Sequence, residues 1–209
     1  MSKERRLVYL NQLNKQMRII SGKHRGTKLY TLEGLNTRPT LDRVKEPLFS
    51  ILQNELPEAV ILDLFAGSGA LGLEAISRGA QKAILCDNSD KAIHIIEQNV
   101  DKLKSKSEIQ ILKNDYLKAL EILKTKKERF DIIFLDPPYN TDFAEKASET
   151  ILQNDLLKDD GIIVIETDRK KAVMQTMNQL PMVEIYDERK YGRAELLFLR
   201  KKSTFRKEN

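Results

Sequence analysis

The chain has little of what builds a stapled or metal-centred protein. Its 209 residues include one cysteine, Cys86, and two histidines, His24 and His94. A single cysteine excludes an internal disulfide, and the three residues stand at no familiar zinc spacing, so no metal is expected. Cys86 lies in the apolar run "ILCD" and reads as core rather than as an activated thiolate. His94 reads as a helix surface residue. Tryptophan is absent, and aromatic residues make up only 6%. No apolar run approaches the ~20 residues that span a bilayer, and the opening "MSKERRLVYLNQLNKQ" lacks the apolar centre of a secretory signal. The expectation is a cytoplasmic protein with no membrane partner. Internal repeats and low-complexity linkers are also missing. With 41% hydrophobic and 32% charged residues, the chain has the balance of a folded protein with one main core.

What the chain does have is unevenly placed charge. The net charge is +5. Between residues 18 and 45, Arg18, Lys23, Arg25, Lys28, Arg38, Arg43 and Lys45 face only Glu33 and Asp42, an excess equal to that of the whole chain. A second basic cluster, "RKKSTFRK", spans 200 to 207. Phosphate contacts supply the sequence-independent part of nucleic-acid affinity, so the N-terminal cluster points to such a partner. For the tail, a solvated terminus explains the charge equally well.

From Val60 onward, short apolar β-branched runs alternate with helical patterns. The runs are "VILDLF" (60–65), "KAILCD" (82–87), "EIQIL" (108–112), "FDIIFLD" (130–136) and "GIIVIET" (161–167). Helices are expected over 69–78, 89–104, 115–124, 142–153 and 169–180. Strands so continuously apolar are buried on both faces, which predicts an α/β fold with a mostly parallel sheet. Residues 182–201 change into two strands about a turn near Tyr191-Gly192, a closing hairpin. Upstream, "RIISGKHRGTKLYTL" reads as two short strands joined by "GKHRG". "TRPTLDRVKEPLFSILQN" then approaches a helix that Thr40 could cap. Pro47 predicts a kink or break near Glu46. Leu7, Leu10 and Leu13 stand at helical spacing, in a segment that either docks on the body or is an upstream extension.

"DLFAGSGALG" (63–72) spaces Gly67, Gly69 and Gly72 as in dinucleotide-binding loops, a weak signal alone. Its surroundings argue against a dinucleotide. Asp63 ends the first strand beside the glycines, where a carboxylate suits an ammonium or sulfonium ligand such as S-adenosylmethionine and repels two phosphates. Asp87 ends the second strand, placed for a ribose diol. Asp115, in "KNDY", either accepts from an adenine amine or caps the next helix. Phe65, Ala66, Ser68, Asn88 and Tyr116 complete the candidate cofactor contacts.

The fourth strand ends in "FLDPPYN", at the edge where open α/β sheets bind ligands. Pro137 and Pro138 remove two N–H donors, so Asp136 and the Pro137 carbonyl present only acceptors. Such a notch suits an exocyclic base amine. Holding both N–H bonds lets the nitrogen pyramidalise and aim its lone pair at an electrophilic methyl. Tyr139 can stack on the base. The notch alone does not separate guanine N2 from adenine N6 or cytosine N4.

These residues resemble class I S-adenosylmethionine-dependent methyltransferases acting on base amines. More closely, "MRIISGKHRGTKL" (17–29), "TRPTLDRVKEPLFSIL" (37–52), "LDLFAGSGALGLEAISRGA" (62–80) and "FLDPPY" are similar to the bacterial 16S rRNA guanine-N2 methyltransferase family, with the resemblance covering residues 17–201. It implies a Rossmann-like, seven-stranded sheet with helices on both faces and the last strand antiparallel. It also implies cofactor contacts around Asp63, Gly67, Gly69, Asp87 and Asp115, and target-amine contacts at Asp136, Pro137, Pro138 and Tyr139. The substrate would be a guanine of 16S rRNA in an assembling or assembled small subunit. Such chains commonly begin near Met17. The chain departs from the pattern at Pro47 and at Asp87, where glutamate is frequent. The expected organisation is an extension (1–16), a basic hairpin and helix contacting RNA (17–56), a methyltransferase domain (57–202) and a basic tail (203–209). Arg38 and Arg43, with Thr40 between them, are expected to grip RNA near the flipped base; Arg25 either joins them or sits in a solvated turn. Competing readings are a DNA adenine-N6 methyltransferase, a nicotinamide-dependent oxidoreductase and a non-catalytic RNA-binding assembly factor.

Overall fold

The computed structural model describes residues 17–31, 40–192 and 194–202. The elements in chain order are α1 (Thr40–Ile51), β1 (Val60–Asp63), α2 (Ala70–Ser77), β2 (Lys82–Asp87), α3 (Asp90–Leu103), β3 (Ile109–Lys113), α4 (Tyr116–Thr125), β4 (Phe130–Leu135), α5 (Phe143–Gln153), β5 (Leu157–Thr167), α6 (Lys170–Asn178), β6 (Val183–Tyr191) and β7 (Ala194–Lys201). The strands form one seven-stranded sheet in the order β3-β2-β1-β4-β5-β7-β6. β1 to β5 pair in parallel, and β7 runs antiparallel to both β5 and β6. The expected sheet and its closing hairpin are therefore present.

Strand side chains alternate between two cores. Ile61, Leu85, Ile132, Phe134 and Val164 face one side with Val44, Leu48 and Phe49 of α1, Leu73 of α2 and Ile96 of α3. Leu62, Ile84, Cys86, Ile133 and Ile163 face the other with Leu120 of α4, Ile151 of α5 and Val173 of α6. This period-two alternation within apolar runs is what a sheet covered on both faces requires. β1 lies between β2 and β4, so the chain reverses direction across the sheet there, and a cleft opens outside the strands' carboxyl ends.

Four expectations need correction. β5 begins at Leu157 rather than Gly161, because its polar start is held by charge. Lys158 pairs with Asp131 at 2.7 Å, and Asp159 meets Arg129 and Lys201, each at 3.1 Å. The helix carrying Pro47 is not broken at Glu46; it runs from Thr40 to Ile51 with Pro47 inside. Its buried face of Val44, Leu48 and Phe49 holds the turn that the missing N–H would weaken. Thr40 is the first helical residue rather than a residue before it. The two upstream strands shrink to a single antiparallel bridge, Arg18 to Lys28.

Around that bridge the hairpin keeps three cross-strand backbone bonds, Leu29 N to the Met17 carbonyl, Ile19 N to the Thr27 carbonyl and Gly26 N to the Ile19 carbonyl, and side chains of the body hold it further. Glu74 of α2 is fully buried and accepts from the Ile20 and Ser21 amides at 2.8 and 3.0 Å. Arg78 meets the same carboxylate at 2.8 Å, and Lys45 of α1 meets it at 3.2 Å. The Lys45 ammonium also donates to the Arg18 carbonyl at 2.7 Å. Ser77 receives the Lys23 and His24 amides and donates to the Ser21 carbonyl at 2.6 Å. At Gly22 a Cβ would lie 1.7 Å from the Ser77 carbonyl oxygen, so only glycine permits this approach.

Candidate active site

A cavity of about 590 Å³ opens at the carboxyl ends of β1, β2 and β4. β1 delivers Asp63 to it and β2 delivers Asp87, while β4 ends immediately before Asp136. Asp63, Phe65, Ala66, Gly67 and Ser68 line the cavity, as do Asp87, Asn88, Asp115, Tyr116 and the whole Asp136-Pro137-Pro138-Tyr139 run. The structure thus brings together every candidate cofactor and amine residue except Gly69.

The three glycines do different work. Gly67 takes φ +56 at the cavity wall, where a Cβ would meet nothing within 4 Å. Gly69 takes φ +79 as the N-cap of α2. At Gly72 a Cβ would sit 2.2 Å from Leu85 Cδ2, so this glycine lets α2 pack against β2.

Asp63 is 1% exposed and accepts one hydrogen bond, from the Gly72 amide at 3.1 Å. Burial pushes its carboxyl up to about 7, with the Asp136 and Asp87 carboxylates adding to the rise and the Gly72 N–H opposing it. Asp87 is fixed by two backbone donors, Gly67 N to Oδ2 and Ser89 N to Oδ1, both at 2.9 Å. Each carboxylate oxygen has a second lone pair for a ligand. Asp115 caps α4, accepting from Leu117 N at 3.0 Å through Oδ1. The capping role is therefore present, on a residue that also lines the cavity. Burial holds the Tyr116 phenol above its ordinary value. Burial likewise pushes the Cys86 thiol up to about 12, which leaves it an unreactive core residue.

Several contributors escaped the sequence reading. Phe143 stacks with Phe65 at 6.4 Å between ring centroids and tilts against Tyr116 at 4.8 Å, forming an aromatic wall. Met17 and Thr31 of the hairpin segment also line the cavity, and Ser68 Oγ approaches Met17 Sδ at 3.3 Å. Buried Asn99 donates to the Ser68 carbonyl at 2.9 Å, tying α3 to the glycine loop. Arg169 donates to the Thr141 carbonyl and Thr141 Oγ1 to the Pro138 carbonyl, both at 2.7 Å, which pins the loop after the notch. No local pattern marks most of these residues, because all but the Thr141–Pro138 contact span tens of positions in sequence.

The candidate RNA residues fare differently. Arg38 lies outside the described residues, and of Thr40 and Arg43 only the helical backbone is described. Arg25 is not brought to the cavity. It sits at the hairpin tip, where the neighbouring His24 amide meets Ser77 at the far end of α2 and Lys23 pairs with Glu108 just before β3. That tip is at the opposite edge of the sheet from Asp136. Among the described residues no group of three or more His, Cys, Asp or Glu is placed to hold a metal ion. No helix among them is long and apolar enough to cross a membrane.

The chain matches the family model described as conserved hypothetical protein 95 over residues 17–200. It is 38% identical to ribosomal RNA small subunit methyltransferase D of Haemophilus influenzae, covering 78% of this chain and 84% of the relative. The Escherichia coli K12 protein of the same name is 37% identical, with 73% and 75% covered. Among solved structures, yhhF from Escherichia coli aligns with a TM-score of 0.76 at 32% identity, covering 89% of this chain and 98% of that one. The sheet order, the carboxyl-edge cavity and these matches agree: the chain belongs to the conserved hypothetical protein 95 family and, within the class I methyltransferase fold, to the group that includes ribosomal RNA small subunit methyltransferase D.

Proposed function

We propose that the protein transfers a methyl group from S-adenosylmethionine to the exocyclic N2 amine of a guanine in 16S rRNA, within an assembling or assembled small ribosomal subunit. One observation carries this reading: the Asp136-Pro137-Pro138-Tyr139 notch, with its Asp136 and Pro137 acceptors, and the Asp63–Gly67–Asp87 pocket open on a single cavity. The relatives' names support an rRNA substrate over duplex DNA, although the notch by itself would also suit an adenine amine. Methyltransferase relatives likewise favour this reading over a nicotinamide-dependent oxidoreductase.

The cavity residues fit the cofactor. Asp63, buried with only one donor, suits the ammonium of the methionyl end. Asp87, held from behind by Gly67 and Ser89, suits a ribose diol. Asp115 and the Phe65–Tyr116–Phe143 wall suit the adenine. S-adenosylmethionine supplies, when bound, an electrophilic methyl on its sulfonium. The chain's own residues do the rest by positioning. The Asp136 carboxylate and the Pro137 carbonyl accept the two N–H bonds of the amine, and the nitrogen pyramidalises towards the methyl. Tyr139 stacks on the extruded base, and the surplus proton leaves to Asp136 or solvent. The base must be out of its stack, which costs least in a loop or an unfinished particle. Arg38, Thr40 and Arg43 hold the RNA near that base, and Arg25 meets phosphates farther along the strand. In this reading, residues 17–56 form the RNA-contacting part, 57–202 the methyltransferase domain and 203–209 a basic tail, with the work done in the cytoplasm.

The test is transfer of labelled methyl to undermethylated small subunits, naked 16S rRNA and duplex DNA, followed by nucleoside analysis. The expected product is N2-methylguanosine in rRNA, lost with Asp136→Ala. N6-methyladenine in DNA would overturn the substrate, and no transfer to any of the three would overturn the catalytic reading.

A further inference from the structure

The outer face of the N-terminal hairpin carries an aromatic ring among cations. Arg18 and Lys28 stand opposite each other in the antiparallel bridge, so their side chains project to one side. Tyr30, two residues past Lys28, projects to the same side. Met17, Ile19 and Leu29 alternate with them and are buried. Tyr30 is 48% exposed, one of two large apolar side chains so exposed among the described residues. The Lys102 ammonium lies over its ring, 4.4 Å from the centroid. Arg18, Lys28 and Lys102 form no ion pair with any described carboxylate.

The backbone that carries this ring is held on both sides. Tyr30 N donates to Asn99 Oδ1 at 2.8 Å, and Asn99 Nδ2 donates to the Tyr30 carbonyl at 3.0 Å. The same Asn99 amide grips the Ser68 carbonyl of the glycine loop. The next residue, Thr31, lines the cavity, as does Met17. The exposed aromatic is therefore fixed by its backbone at the cavity's rim, amid cations that no described carboxylate pairs. An unpaired nucleic-acid strand is the partner such a surface fits, because a base offers a π-face to tyrosine and the adjoining phosphates offer charge to lysine and arginine.

We propose that this face docks an unpaired stretch of rRNA beside the target nucleotide, with Tyr30 stacking on one base and Lys102, Lys28 and Arg18 taking phosphates. The proposal rests on the rRNA-methylating reading above. It adds a second RNA surface, built from the hairpin and α3 and distinct from the notch.

The test measures binding and methyl transfer on an undermethylated 16S rRNA fragment and on a fully duplex RNA of equal length. Tyr30→Ala is expected to raise Kd and KM for the fragment about tenfold, within the range for loss of one base stack, and Tyr30→Phe to restore them. The kcat and the affinity for S-adenosylmethionine should stay within twofold, because the Asn99 bonds use the Tyr30 backbone. Lys28→Ala and Lys102→Glu should each flatten the salt dependence of binding, Lys28→Ala by about one phosphate. If wild type methylates the fragment and both Tyr30→Ala and Lys102→Glu bind it unchanged, this surface is wrong and the catalytic reading stands. Equal loss on the duplex would also overturn it, because stacking needs unpaired bases. If wild type neither binds nor methylates rRNA, both readings fall together.

Discussion

Asp63 and Glu74 are two buried carboxylates on either side of the glycine loop, and their surroundings are opposite. Glu74 receives two backbone amides and two cations, Arg78 and Lys45, all from within the protein. Asp63 receives one amide and faces two other carboxylates. A buried charge whose partners all come from the chain is architecture; here it fastens the hairpin and α1 to the helix behind the glycines. A buried charge left short of partners marks a site, because its folding cost is recovered only when a ligand brings the missing charge.

The largest expected effect breaks the completed side. Glu74→Ala removes the acceptor of the part-buried Ile20 and Ser21 amides and the counter-charge of the buried Lys45 ammonium, which keeps its bond to the Arg18 carbonyl. It should lower stability by about 3–5 kcal/mol in urea unfolding, the usual range for breaking a buried ion pair from one end. A loss below about 1 kcal/mol would show that the Glu74 cluster is not what fastens the hairpin.

The second sharpens the incomplete side. Asp63 holds its proton up to about pH 7 in the fold, against an ordinary value of 3.8. Between those values the folded state binds more protons than the unfolded one. The group's contribution is therefore fully present below about pH 4 and is lost as pH rises through 7, at up to about 1.4 kcal/mol per pH unit. Asp63→Asn keeps an acceptor for Gly72 but removes the charge. The ligand-free variant should match wild type near pH 4 and exceed its stability at pH 8. Equal pH profiles for the two proteins would mean that Asp63 is not strained by burial.

A smaller effect is expected between the two carboxylates. Gly67→Ala meets no steric obstacle, so only its positive φ opposes it, and the loss of stability should be about 1–2 kcal/mol. Gly72→Ala should cost more, because its Cβ collides with Leu85. Thermal unfolding of the pair checks the order; the reverse would contradict the assignment of packing to Gly72 and open loop to Gly67.

The same contrast explains what was legible in the sequence. Asp63, Asp87 and Asp136 could be read because each ends an apolar run, and the run itself fixes the edge at which its carboxylate emerges. The β6–β7 hairpin was legible for the same reason of local pattern. Glu74, Asn99 and Arg169 were not, because a polar residue in an amphipathic helix looks alike whether it meets water or an amide 54 positions away. The hairpin's strands were overread in length, because Arg18 to Leu29 has strand-like residues, while its few cross-strand bonds are supplemented by side chains of α1, α2 and α3 that no local pattern shows. Arg25 was left open between phosphate binding and a solvated turn, because charge carries no information about which edge of the sheet a loop reaches. Pro47 was overweighted because the burial of Val44, Leu48 and Phe49 around it is a property of packing.

The central claim is that Asp63 is completed by a cationic ligand, and the most direct measurement is the affinity for S-adenosylmethionine from pH 5.5 to 8.5 by calorimetry in buffers of different ionisation enthalpy. Binding should weaken about tenfold per pH unit below pH 7, with close to one proton released per ligand bound near pH 6, and Asp63→Asn should bind more weakly with a flat profile. An affinity that stays constant across that range in wild type, with no proton released, would contradict the account.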